Sequence, residues 1–86
     1  MVADRIARIL EELAERPQSV TFVELAKVCE HYFGEARQKG TSHMIFKTGL
    51  AEMPLVNIQA AGKMAKPYQC RQVAAAIALK TGKKES

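Results

Sequence analysis

The sequence predicts an α+β domain, and three observations predict it. Apolar residues recur at helical spacing over residues 3–16 and again from Phe22 to Phe33; the period shortens to that of strands between residues 35 and 59; and helical spacing returns after Pro67. The predicted order is helix, helix, three strands, helix. A three-stranded antiparallel sheet has two faces, and the helices bracketing it in sequence are expected to cover one of them.

Ile6, Ile9, Leu10 and Leu13 form the apolar stripe of the first helix, with Asp4/Arg8 and Glu12/Arg16 one turn apart as ion pairs. Pro17 ends it. Thr21, followed at the third position by Glu24, is a capping-box signature, and Phe22, Leu25, Ala26, Cys29 and Phe33 are the stripe of a second helix that Gly34 stops. Strand candidates follow at 35–39, 43–47 and 55–59, separated by Gly40-Thr41-Ser42 and by a loop around Gly49 and Pro54. Pro67 suits the first turn of a third helix running to about Leu79, with Cys70, Val73, Ala74 and Ile77 on one face.

Strand parity divides the sheet. If Met44 and Phe46 point to the helices, then His43, Ile45 and Lys47 share the opposite face, joined there by Leu55, Asn57 and Gln59 if Val56 and Ile58 point inward. Ile45 and Leu55 would leave an apolar patch on that face, which calls for a protein partner or for cover by the first helix.

With 86 residues the chain suffices for one modest core. Residues 1–36 carry a net charge of −3 and residues 37–86 a net charge of +7, so the overall +4 hides a polarised molecule whose second half suits a polyanion such as nucleic acid. The bland alternative is a solvated basic face. The longest apolar run, residues 73–79, is too short for a membrane span, and Asp4, Arg5 and Arg8 stand where a signal peptide would need an apolar centre, so a cytoplasmic protein is expected. Cys29 and Cys70 read as reduced core thiols. Cys29 and His31 diverge on a helix and Cys70 has no second ligand at zinc spacing, so neither a metal nor another cofactor is expected.

His43 stands just past the Gly40-Thr41-Ser42 turn, at the start of an apolar strand in the basic half. Imidazole suits metal-free RNA cleavage, in which a base removes the 2′-hydroxyl proton and an acid protonates the departing 5′-oxygen. His31, alone in mid-helix, reads as a surface or boundary residue. Lys39, Lys47 and Tyr68 are candidates for the second group, the lysines chiefly as electrostatic stabilisers of phosphate because an ordinary ammonium holds its proton too tightly. Lys63, Lys66 and Arg71 lie at or just before the amino end of the third helix, where free backbone N–H groups already favour phosphate, and make an RNA-backbone clamp of low sequence selectivity.

Three blocks resemble the HicA family of bacterial toxins: Phe22-Val23-Glu24-Leu25-Ala26-Lys27 running to Phe33-Gly34; Arg37-Gln38-Lys39-Gly40-Thr41-Ser42-His43; and Lys66-Pro67-Tyr68-Gln69-Cys70-Arg71-Gln72-Val73 ahead of Ala76-Ile77. The segment Gly62-Lys63-Met64-Ala65-Lys66 is also similar to the lysine-rich start of the last helix in double-stranded-RNA-binding domains. Many family members have a shorter turn, which Thr41 lengthens by one residue. The resemblance implies a fold like a double-stranded-RNA-binding domain over residues 19–80; residues 1–18 are a helical extension whose role it does not supply, and the basic tail over 81–86 reads as disordered from its composition. The resemblance also implies a ribonuclease that cleaves mRNA through His43, free as a monomer and held inactive in a hetero-oligomer by a HicB-like antitoxin.

Two rival readings stand beside it. One is an RNA-binding module of the same fold without hydrolytic activity, and the other is an assembly protein using the first helix and the apolar sheet patch. The first helix itself has three possible seats: on the other helices, in the antitoxin interface, or over the open sheet face.

Overall fold

The computed structural model describes residues 2–40 and 42–82, with side chains from residue 5 onward. Thr41, residues 83–86 of the expected tail, and the side chain of Asp4 expected to pair with Arg8 lie outside the described residues. The elements in chain order are α1 (Val2–Glu15), a 3-10 turn (Pro17–Ser19), α2 (Phe22–Phe33), β1 (Gln38–Lys39), β2 (His43–Lys47), β3 (Leu55–Ala61), β4 (Met64–Ala65) and α3 (Pro67–Thr81).

Each helix boundary has a local cause. Glu12 accepts from both Arg16 (3.2 Å) and the Ser19 hydroxyl (2.6 Å), tying the end of α1 to the turn that Pro17 starts. These two donors, the Ser19 hydroxyl foremost, hold the Glu12 carboxyl below the ordinary carboxylate range. The capping box at the start of α2 is reciprocal: the Glu24 N–H donates to Thr21 Oγ1 (3.1 Å) and the Thr21 N–H to Glu24 Oε1 (3.0 Å). Gly34 ends α2 at φ +89°, and Pro67 occupies the first turn of α3, which runs through Thr81 to Gly82, past the expected end near Leu79.

The sheet is antiparallel in the order β1-β2-β3-β4, with four strands where three were expected. The additional strand, β4, is a two-residue return from β3 through the Gly62–Lys63 turn, in which Gly62 supplies the positive φ of +69°. Its outer edge is occupied by the segment before α2: the Ala65 N–H donates to Val20 O (3.0 Å) and the Phe22 N–H to Lys63 O (3.0 Å). Residues 62–66, similar to the start of a last helix, are thus turn, strand and N-cap, because their backbone groups are spent on this ladder. The first strand is shorter than the 35–39 expected, and β3 runs two residues longer than 55–59.

β2 and β3 pair over five residues, from His43↔Gln59 to Lys47↔Leu55. Met44, Phe46, Val56 and Ile58 are buried beneath the helices, joined in one core by Leu25, Val28, Val73 and Ile77. The first helix contributes Ile6, Ile9 and Leu13 to the same core, packing on α2, α3 and the 3-10 turn on the helical side of the sheet. On the other face Leu55 is 49 % exposed and Ile45 is partly buried.

The loop from β2 to β3 is fastened from within. Thr48, 1 % exposed, donates its hydroxyl proton to Met53 O and accepts from the Leu50 N–H (3.0 Å), while Lys80 Nζ of α3 reaches Thr48 O (3.0 Å). Thr48→Val keeps the shape and strands both backbone partners, so a loss of about 1–3 kcal/mol is expected in urea unfolding. Burial pushes the Cys29 thiol up to about 12 and the Cys70 thiol up to about 11. Both thiols are expected to resist a disulfide reagent at pH 8 until denaturant is added. Thiols of the unfolded chain ionise from about pH 8.5. The stability that burial lends is therefore complete below that pH and is lost as pH rises toward the folded values, a fall that unfolding curves between pH 8 and 11 will record and that replacement of both cysteines by alanine will reduce.

Candidate functional site

The sheet ladder decides which side chains meet. The Ala60 N–H donates to Ser42 O (3.0 Å) and the Thr48 N–H to Pro54 O (3.0 Å), so these are hydrogen-bonded pairs. By alternation His43↔Gln59, Ile45↔Asn57 and Lys47↔Leu55 are non-hydrogen-bonded pairs, in which opposed side chains lie closest. His43, half-buried, therefore stands beside Gln59 on the face away from the helices. The turn before it is pinned from both neighbouring strands: the Gly40 N–H donates to His43 O (2.8 Å), and Ser42 O is the acceptor for Ala60.

Gln59 in turn depends on α3. Its N–H points to the side where β4 runs, but β4 ends at Ala65, and the next residue, Lys66, is the N-cap of α3. The Lys66 carbonyl accepts from the Gln69 and Cys70 N–H groups (3.0 and 3.1 Å), so it is committed to the helix. The Gln69 side chain replaces it, accepting the Gln59 N–H on Oε1 at 2.7 Å. Lys66 then extends its Nζ to Gln59 Oε1 (3.2 Å), which sets an ammonium on the side-chain amide that faces His43 across the ladder. Gln69 Nε2 lies 3.5 Å from the Tyr68 hydroxyl, and Tyr68 is 54 % exposed.

Gln59 and Lys66 are thus joined by a hydrogen bond beside His43, the cross-strand neighbour of Gln59, with Tyr68 at the margin through Gln69. The other expected residues lie apart from these. Lys39 pairs with Met44 and so shares the helical side of the sheet, its Nζ 4.0 Å from Glu30 Oε2. Lys47 is on the face of His43 but four residues along the strand, about 13 Å away at strand rise. Lys63 is exposed in the turn from β3 to β4, and Arg71 is exposed on the second turn of α3. His31 sits exposed on α2 with its ring edge-on to Tyr32.

Gln59 was legible only as a member of the open face, and Gln69 not at all. A signal for Gln69 existed: it belongs to the stripe with Cys70, Val73, Ala76 and Ile77, and it is 4 % exposed. An amide inside an apolar stripe needs partners, and the partners identify its task. The two thiols are sealed in the core, which disqualifies them as nucleophiles. Among the described residues no three His, Cys, Asp or Glu side chains are grouped to hold a metal ion, and no helix is long and apolar enough to cross a membrane. Comparison of the chain with family models, with curated proteins and with solved structures finds no match in any of the three.

Proposed function

We propose that this chain is a metal-independent endoribonuclease of the kind the HicA resemblance implies, with a core like a double-stranded-RNA-binding domain and with mRNA as substrate. The observation that carries the reading is His43 standing across the ladder from Gln59, which bonds Lys66, on the sheet face away from the helices. His43 takes the proton from a ribose 2′-hydroxyl, the 2′-oxygen bonds to phosphorus, and the bond to the departing 5′-oxygen breaks. The leaving oxygen takes its proton from water or from the Tyr68 hydroxyl. Lys66 opposes the charge that grows on the phosphoryl oxygens. The products of such a step are a 2′,3′-cyclic phosphate and a free 5′-hydroxyl.

Lys63, Lys66 and Arg71 supply backbone contacts around the amino end of α3, and the apolar residues Ile45 and Leu55 on the same face as His43 suit a HicB-like antitoxin that covers the site. Proton transfer by a positioned side chain contributes roughly 10²–10⁴-fold. His43→Ala is therefore expected to lower cleavage of a defined RNA by at least about 100-fold, to abolish growth arrest on expression, and to keep the thermal midpoint of the wild type. Cleavage should persist in EDTA and leave cyclic phosphate ends. Wild-type protein that binds RNA and leaves it intact over hours would favour the non-hydrolytic binding module instead.

A further inference from the structure

The geometry points to Gln69 as a positioning residue of the His43 site, an inference that rests on the ribonuclease reading. A single buried carboxamide serves two elements at once. Its Oε1 takes the Gln59 N–H at 2.7 Å, at the one place on β3 where the neighbouring strand has ended and its carbonyl has been given to a helix. Its Nε2 reaches the Tyr68 hydroxyl at 3.5 Å.

The consequence runs through Gln59. Gln59 opposes His43 in a non-hydrogen-bonded pair, so its N–H is turned away from β2, and the Gln69 side chain accepts it. The Gln59 side chain carries Lys66 on Oε1. The distance between the imidazole and the ammonium is therefore set by how firmly β3 is held at residue 59, and that hold belongs to a residue that need not touch the substrate. A small displacement of such a pair costs far more in rate than in binding, because phosphate can still be captured by the exposed Lys63 and Arg71 while the reacting atoms lose their alignment.

The Tyr68 contact adds a direction. With Nε2 as donor, the Tyr68 oxygen is the acceptor and its own proton is free to point outward. Gln69 thereby turns the hydroxyl toward solvent as a donor, on the same helix end as Lys66.

The test is single-turnover and steady-state cleavage of one short RNA by wild type, His43→Ala, Gln69→Leu, Gln69→Glu, Lys66→Gln and the Gln69→Leu/Lys66→Gln double variant, with amide exchange at Gln59 followed in parallel. Expected for Gln69→Leu are a kcat lowered about tenfold, a KM within about twofold of wild type, and faster exchange at Gln59. Gln69→Glu, which keeps the acceptor, should recover most of the rate and the protection. In the Lys66→Gln background Gln69→Leu should cost less than about twofold, because its effect is transmitted through that lysine. If Gln69→Leu does not fold, Gln59→Ala, which removes only the acceptor of Lys66, is expected to show the same loss in kcat. His43-dependent cleavage with wild-type kcat in folded Gln69→Leu, or with fully additive losses in the double variant, would overturn the inference and leave the ribonuclease reading standing. RNA left intact by wild type, or cut equally by His43→Ala, would overturn both.

Discussion

The register of β2 against β3 governs everything else in this molecule, because side chains alternate faces with a period of two residues. In the observed register Met44 and Phe46 join Val56 and Ile58 beneath the helices, and His43 stands opposite Gln59 in the open. A slip of β2 by one residue would send Met44 and Phe46, both buried, into solvent and draw Lys47 toward the core. Turning out those two apolar side chains costs roughly 1.5–3 kcal/mol each, before any charge is buried. The position of the imidazole is thus a by-product of packing on the other side of the sheet.

Polar fastenings then secure what the register leaves loose, and they occur at opposite ends of the same strand pair. Near the His43 end Gln69 replaces a missing strand, and at the far end Thr48 and Lys80 close the connection from β2 to β3. In both cases the fastening comes from α3 or is reinforced by it, so one helix spans the length of the pair and holds each end. Among the described residues every buried side-chain N or O atom has a partner, which fits a small core that has no energy to spare on unpaired groups.

The residues that announced themselves were those whose role is local. Thr21 with Glu24, Pro17, Gly34 and Pro67 declare their boundaries within a span of four residues, and all four boundaries fall where they indicate. The alternation in residues 43–47 and 55–59 is long enough to give the correct faces. β4 escaped because two residues have no period, and its outer edge is completed by a segment far earlier in the chain, at Val20 and Phe22. Gln69 escaped for the same reason: its partner N–H is ten residues away on another element. Lysines were the least legible class. Lys39 and Lys66 look alike in sequence, yet one pairs with Met44 and lies on the helical side while the other reaches an amide beside His43. Their placement depends on pairing partners and capping, which composition does not encode.

The borders of the sheet carry a last implication. β4 is sheathed by the chain ahead of α2, and β1 offers only Gln38 and Lys39, the latter a charged residue. Unpaired strand borders are templates for runaway stacking of one copy on another, and short or sheathed borders with a lysine suppress it. At these two borders there is therefore little backbone to lend to a neighbour's strand. A macromolecule that settles on the open face of the sheet meets side chains there, where shape and charge can discriminate, and these two borders give a crowded solution little means of seeding fibres.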